Sequence, residues 1–302
     1  MPELPEVEVI CRGLAKALPG RVIDSLDVLV DRSFPGFAEK TSRCLLGAQV
    51  LDVKRRGKLV MVYLTSGGAA AEHVLLIHLR MTGQLIFRSG SWLADASLSG
   101  GYPNPSLIGE LPDRSTRVVI QFTDGARLYF NDQRKFGYLK LVAADGLAEE
   151  DFLSRLGPEP LEPGFDWRML RQALAGRSQS AASGSIKAAL LDQEKIAGIG
   201  NIYADESLFR ARIDPRRAVS SLTVAELKRL HAAILDCLQQ SIVDGGSTAR
   251  NYVDALGLRG EFLDLHAAVY GRAGQPCPRC GLPIVKIRVA GRGTHLCEKC
   301  QR

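Results

Sequence analysis

Residues 156–165, LGPEPLEPGF, place three prolines in ten positions and separate two hydrophobic periods that belong to different secondary structures. Upstream, the stretches VLDVKRRGKLVMVYLT, HVLLIHLRMTGQLIF and RVVIQFTDGARLYFND are rich in β-branched and aromatic residues and read with a period of two, the repeat of a pleated strand. Asp124-Gly125 between two such runs is a hairpin signal. Downstream, DWRMLRQALAG, SIKAALLDQEK and NIYADESLFRA return to the 3.6-residue period. A long helix is expected from Thr223, which forms a capping box with Glu226. Strands without alternating helices predict an antiparallel sandwich, followed by a separate helical domain, so the class is α+β. The expected division is a sandwich at 1–145, a linker at 146–165, a helical domain at 166–262 and a ribbon at 263–302.

Ahead of the first strand, Leu4, Val7, Cys11, Leu14 and Leu18 keep a three-four spacing that puts one apolar stripe on a helix ending near Pro19-Gly20. That helix begins abruptly, with two prolines and three glutamates among the first eight residues. Pro in the first turn and carboxylates at the positive end of the helix dipole are ordinary start signals. They do not explain Pro2, which becomes a terminal secondary amine beside Glu3 if Met1 is removed. Residues 89–113, rich in Ser, Gly and Pro, read as an exposed insertion between strands.

With 302 residues, 46% of them hydrophobic and 24% charged, the chain can bury a core in each of two domains. It has no run of 18 apolar residues and no basic-then-apolar leader, so the expected location is the cytoplasm or nucleoid. Net charge is +6, and the segment from Cys277 to Arg302 carries six basic residues against Glu298 alone. That segment also holds Cys277, Cys280, Cys297 and Cys300 as two C-x2-C knuckles sixteen residues apart, a spacing that offers four thiolates to one tetrahedral zinc ion, with a disulfide pair as the alternative. Cys11, Cys44 and Cys237 are scattered and read as free thiols, Cys11 and Cys237 on apolar helical faces. In KIAGIGNIYADE, glycines 198 and 200 either form a plain helix-helix turn or aim backbone N–H groups at an anion.

Six motifs in order, PELPEVE, RRGK at 55–58, DQRKFG at 132–137, GIGNIYADE at 198–206, GGSTARNY at 245–252 and GRGTHLCEKCQ at 291–301, resemble the formamidopyrimidine-DNA glycosylases from residue 2 to the C-terminus. The resemblance implies a helix-two-turn-helix domain and a zinc ribbon after the sandwich, with duplex DNA containing oxidised bases in a basic cleft between domains. The implied protein is a monomer with one structural Zn²⁺. It implies that the Pro2 nitrogen attacks C1′ of the damaged nucleotide and that Glu3 moves protons. An α-amino group titrates near ~8, so much of it is a neutral nucleophile at cellular pH. Lys58 and Arg292 are implied to grip phosphates and assist β- and δ-elimination. Seen alone, Lys58 is a solvated lysine at a sheet edge and Arg292 a surface charge at a hairpin tip.

By the same resemblance Met81, Arg134 and Phe136 fill the gap left by an extruded base, Lys187 and Asn201 contact phosphates, and the loop with Ser247, Thr248, Arg250 and Tyr252 folds over 8-oxoguanine. Without it, Met81 and Phe136 read as core residues. The chain also departs from the family. Arg114-Ser115-Thr116-Arg117 lacks a histidine often found there, Gln133 and Lys135 replace residues that are frequently Pro and Arg, and Arg80 stands where Gly is common. Two alternatives remain open: an endonuclease VIII-like enzyme for oxidised pyrimidines, and a DNA-binding zinc protein without catalysis.

Overall fold

The computed structural model describes residues 2–89, 97–100 (backbone only), 111–175, 184–248 and 260–302. They form two compact units: Met1–Ser154 with Gly245–Gly260, and Arg155–Asp244 with Glu261–Arg302.

In the first unit, helix α1 (Leu4–Ala17) precedes strand β1 (Ile23–Val28), helix α2 (Glu39–Leu45) and strands β2 (Gln49–Arg56), β3 (Leu59–Thr65), β4 (His73–His78), β5 (Gly83–Arg88), β6 (Ser97–Gly100), β7 (Thr116–Phe122), β8 (Arg127–Asp132) and β9 (Tyr138–Ala143). One sheet has the order β1-β7-β8-β5-β6, the other β2-β3-β4-β9, and every pairing is antiparallel. The expected sandwich is therefore present. Val60, Val62 and Leu64 of β3 join Leu85, Val118, Ile120 and Phe130 in its core, closed by Val7, Ile10 and Leu14 of α1. The alternate residues Leu59 and Met61 are buried too, under Phe152 and Leu153, which is why β3 reads as a continuous apolar run. The Asp124-Gly125 turn joins β7 to β8, with Gly125 at φ 83°. Part of the expected insertion is strand β6, paired with β5; most of the remainder lies outside the described residues.

Past the short helix α3 (Asp151–Arg155), the second unit contains α4 (Trp167–Ala175), α5 (Ile186–Leu191), α6 (Asn201–Ala211), α7 (Val224–Val243), α8 (Phe262–His266) and the hairpin β10 (Val285–Val289) and β11 (Arg292–Leu296). The Thr223–Glu226 capping box opens α7 as expected. The proline-rich stretch read as a linker folds into this unit: Gly157 N–H donates to Gln193 O at 2.9 Å, and Ala197 N–H to Pro158 O at 3.1 Å. A Cβ on Gly157 would lie 2.4 Å from the Lys195 backbone, so only glycine permits the approach. Among the described residues, no helix is long and apolar enough to cross a membrane.

Candidate catalytic and nucleic-acid interface

In the first unit, Pro2 is half-buried and Glu3 is the buried N-cap of α1. The buried Glu6 carboxylate, one turn into the helix, accepts the Glu3 N–H at 2.8 Å on Oε2 and the Ser247 N–H at 2.8 Å on Oε1. Both are hydrogen bonds to an ionisable acceptor at the positive end of a helix, the setting in which a carboxylate holds a backbone most firmly. Glu6 was not singled out from the sequence; the Glu3-x-x-Glu6 spacing of a capping box was the available signal. Ser247 and Thr248 are buried, and Thr248 N–H donates to Gly260 O while Gly260 N–H donates to Thr248 Oγ1 at 2.9 Å. Arg250 and Tyr252 lie outside the described residues.

Lys58 is only 6% exposed, so it is not a solvated edge lysine. Gly57 at φ 58° turns the chain sharply between β2 and β3 and brings Lys58 in front of Leu59, the residue paired with His78 on β4. Arg55 Nε, two residues before Gly57, donates to Glu8 Oε2 at 2.8 Å and pins β2 to α1. His78 is buried, and its Nδ1 accepts the Arg80 N–H at 3.1 Å, so the neutral ring carries its proton on Nε2. Burial first, then the charges of Arg80 and Lys58, lower the His78 pKa to about 3. The sequence reading missed this histidine, which ends an apolar strand and looks like packing.

Met81, Arg134 and Phe136 come together. Met81 is 45% exposed and Phe136 42%, which rules out the core reading. Arg134 Nη1 lies 3.1 Å from the Met81 sulfur, and its guanidinium stacks 4.7 Å from the Phe136 ring centroid. Two apolar groups and a planar cation thus stand exposed on the loops after β4 and after β8, the chemistry needed to replace stacking and to offer hydrogen bonds to an unpaired base.

The second unit corrects one expectation. Lys187 is fully buried and its Nζ donates to Asp205 Oδ1 at 2.6 Å, Thr294 Oγ1 at 2.7 Å and Gly293 O at 3.0 Å. An ammonium has three donors, all used here, so Lys187 is a strut beneath the β10–β11 hairpin rather than a phosphate contact. Asn201 Nδ2 donates to the same Gly293 carbonyl at 3.0 Å. Asp205 Oδ2 accepts the His295 N–H at 2.9 Å. Ala290 and Gly291, both at positive φ, make the two-residue hairpin turn, and Arg292 follows it exposed, with no side-chain hydrogen bond or ion pair among the described residues.

At the base of that hairpin the four cysteine sulfurs lie within 4.8 Å of one another, with Cys277–Cys300 at 3.9 Å and Cys280–Cys297 at 3.5 Å. Zn–S bonds of about 2.3 Å in a tetrahedron separate sulfurs by nearly this much. The set fits one structural zinc, with no open position for a reacting water.

Comparison with known proteins gives three consecutive family matches: formamidopyrimidine-DNA glycosylase N-terminal domain over residues 1–139, formamidopyrimidine-DNA glycosylase H2TH domain over 156–252, and a zinc finger found in FPG and IleRS over 274–302. The formamidopyrimidine-DNA glycosylase of Desulfitobacterium hafniense is 40% identical over 302 residues, covering 100% of both chains. That of Streptococcus pneumoniae is 39% identical over 303 residues, covering 100% of this chain and 99% of its own. Lactococcus lactis Fpg in complex with abasic-site DNA superposes with a TM-score of 0.82 at 34% identity over 99% of each chain. The same protein with DNA containing an oxidised pyrimidine gives 0.81 at 34% identity over 100% of each.

Proposed function

Because the chain belongs to the formamidopyrimidine-DNA glycosylase family, we propose that it excises 8-oxoguanine and formamidopyrimidines from duplex DNA in base excision repair and then cleaves the strand through a Schiff base on Pro2. The Pro2 nitrogen, freed by removal of Met1, bonds to C1′ as the base departs with its proton. Ring opening gives an iminium that draws electrons for loss of the 3′ and then the 5′ phosphate. Glu3 transfers protons at the sugar, and Lys58 with Arg292 neutralises the flanking phosphates. Met81, Arg134 and Phe136 fill the vacated stack. Asn201 contributes a phosphate contact, and the segment from Ser247 through Thr248, Arg250 and Tyr252 covers the extruded base. Bound by its four cysteines, zinc supplies a structural cross-link and no chemistry. The enzyme acts in the cytoplasm, on nucleoid DNA.

The observation that carries this reading is the Glu6 carboxylate, which joins the backbone at Glu3, next to the nucleophile, to Ser247 at the root of the base-covering segment. The test is borohydride trapping on two duplexes, one with 8-oxoguanine opposite cytosine and one with dihydrouracil opposite guanine. Wild type should trap on the first and Pro2→Gly on neither. Trapping mainly on the second would transfer the protein to the oxidised-pyrimidine reading, which the oxidised-pyrimidine complex of the L. lactis relative makes worth the second arm. Absence of trapping on both, with Met1 shown to be removed, would leave a DNA-binding protein.

A further inference from the structure

The two loops that expose Met81, Arg134 and Phe136 share a single anchor. Asp132, the last residue of β8, is completely buried, and no cation pairs with its carboxylate among the described residues. Its oxygens instead collect four donors. Oδ1 accepts the Thr82 hydroxyl and the Arg134 N–H at 3.1 Å; Oδ2 accepts the Phe136 N–H at 2.8 Å and the Gly137 N–H at 2.7 Å. Thr82 Oγ1 in turn accepts the Arg134 N–H at 3.1 Å. The Asp132 backbone is held as well, its N–H by Ser115 O at 2.8 Å and its carbonyl by Arg117 Nε at 2.7 Å.

The local backbone depends on this anchor. Lys135, between Arg134 and Phe136, sits at φ 56°, and Arg80, beside Met81, at φ 50°. Side chains in the left-handed region persist only where surrounding contacts over-determine them. A Cβ on Gly137 would meet Phe130 at 2.7 Å, His78 O at 2.9 Å and Asp132 Oδ2 at 3.2 Å, so the loop closes onto the carboxylate through the one residue small enough.

We infer that Asp132 is a positioning residue that sets the register of the Met81 loop against the Arg134–Phe136 loop and so presents the three exposed groups to DNA as one wedge. The inference rests on the wedge role proposed above. Asp132 touches neither substrate nor the reacting atoms. It acts where a base must be displaced from a stack and is irrelevant where there is no stack.

That difference supplies the test. Asp132→Asn keeps the shape but replaces one acceptor oxygen with an N–H facing N–H donors. Excision kcat/KM on the 8-oxoguanine duplex should fall about a hundredfold, the scale of a misplacement near 1 Å. Borohydride trapping on a single-stranded oligonucleotide bearing an abasic site should stay at the wild-type rate. Thr82→Val, which removes one donor and keeps the β-branched shape, should shift the same ratio by a smaller factor, and it decides the matter if Asp132→Asn does not fold. Equal losses on both substrates, or no loss on the duplex, would overturn the inference. Met81→Ala separates the two ideas. If it leaves duplex excision untouched, the wedge reading fails; if it reduces excision while the Asp132 and Thr82 variants do not, the wedge stands and the anchor does not.

Discussion

Asp132 and Asp205 are both fully buried, and each supports a loop that ends in an exposed arginine, Arg134 in the first unit and Arg292 in the second. They are satisfied in different ways. Asp132 draws three N–H groups and a hydroxyl from two loops, with no cation among the described residues. Asp205 pairs with buried Lys187 and takes the His295 N–H, so α5, α6 and the hairpin meet at one charge pair. A carboxylate held by backbone amides fixes the shape of a loop. One held by a buried lysine fixes the placement of whole elements, and becomes a liability once its partner is gone.

The sharpest break in this contrast comes from zinc. The hairpin beneath Arg292 is secured at its tip by Lys187 and at its base by the four cysteines, whereas the Met81 and Arg134 loops are tied together by the Asp132 carboxylate. Metal binding is worth on the order of 10 kcal/mol in isolated zinc modules. Chelation, or Cys280→Ala, should abolish strand cleavage at an abasic site; retained cleavage with the metal shown absent by elemental analysis would remove zinc from the account of Arg292. The next effect is smaller. Lys187→Met leaves the Asp205 carboxylate buried without its counter-charge, at a cost of about 3–5 kcal/mol by urea unfolding. Adding Asp205→Asn should recover part of that loss, since the uncompensated charge is gone. Additive losses in the double variant would mean the pair is not coupled.

How much of this was legible in the sequence follows from how local each feature is. The C-x2-C knuckles, the Asp124-Gly125 turn and the Thr223–Glu226 box are set by neighbours in the chain, and all three appear as read. The sandwich was legible from the period-two runs, although β3 and β4 are buried almost throughout and do not alternate. Lys187 was misread because its acceptors lie at 205, 293 and 294, and nothing near position 187 announces them. Asp132 was legible only in part: the N–H groups of Arg134, Phe136 and Gly137 are its chain neighbours, but the Thr82 hydroxyl that ties in the second loop is fifty residues away. The exposure of Met81 and Phe136 came only from family resemblance, since apolar residues after strands usually pack inward.

The smallest expected effect extends the same contrast to two histidines. His295 is buried against the Asp205 carboxylate, while His78 is buried between the charges of Arg80 and Lys58 with its Nδ1 already accepting the Arg80 N–H. A folded-state pKa of about 3 means the folded chain keeps this ring neutral through mildly acidic pH. The unfolded chain takes up a proton near ~6.5. Between those values the unfolded state binds more protons, so His78 subtracts stability progressively as pH falls and subtracts none above that range. His78→Gln has no proton to gain, and its urea midpoint should drop less than that of wild type between pH 7.5 and pH 4.5. An equal drop in both proteins would mean that the ring is charged in the folded state. In that case Nδ1 could not be accepting the Arg80 N–H, and the donor on Nε2 that this hydrogen bond dictates would no longer follow from it.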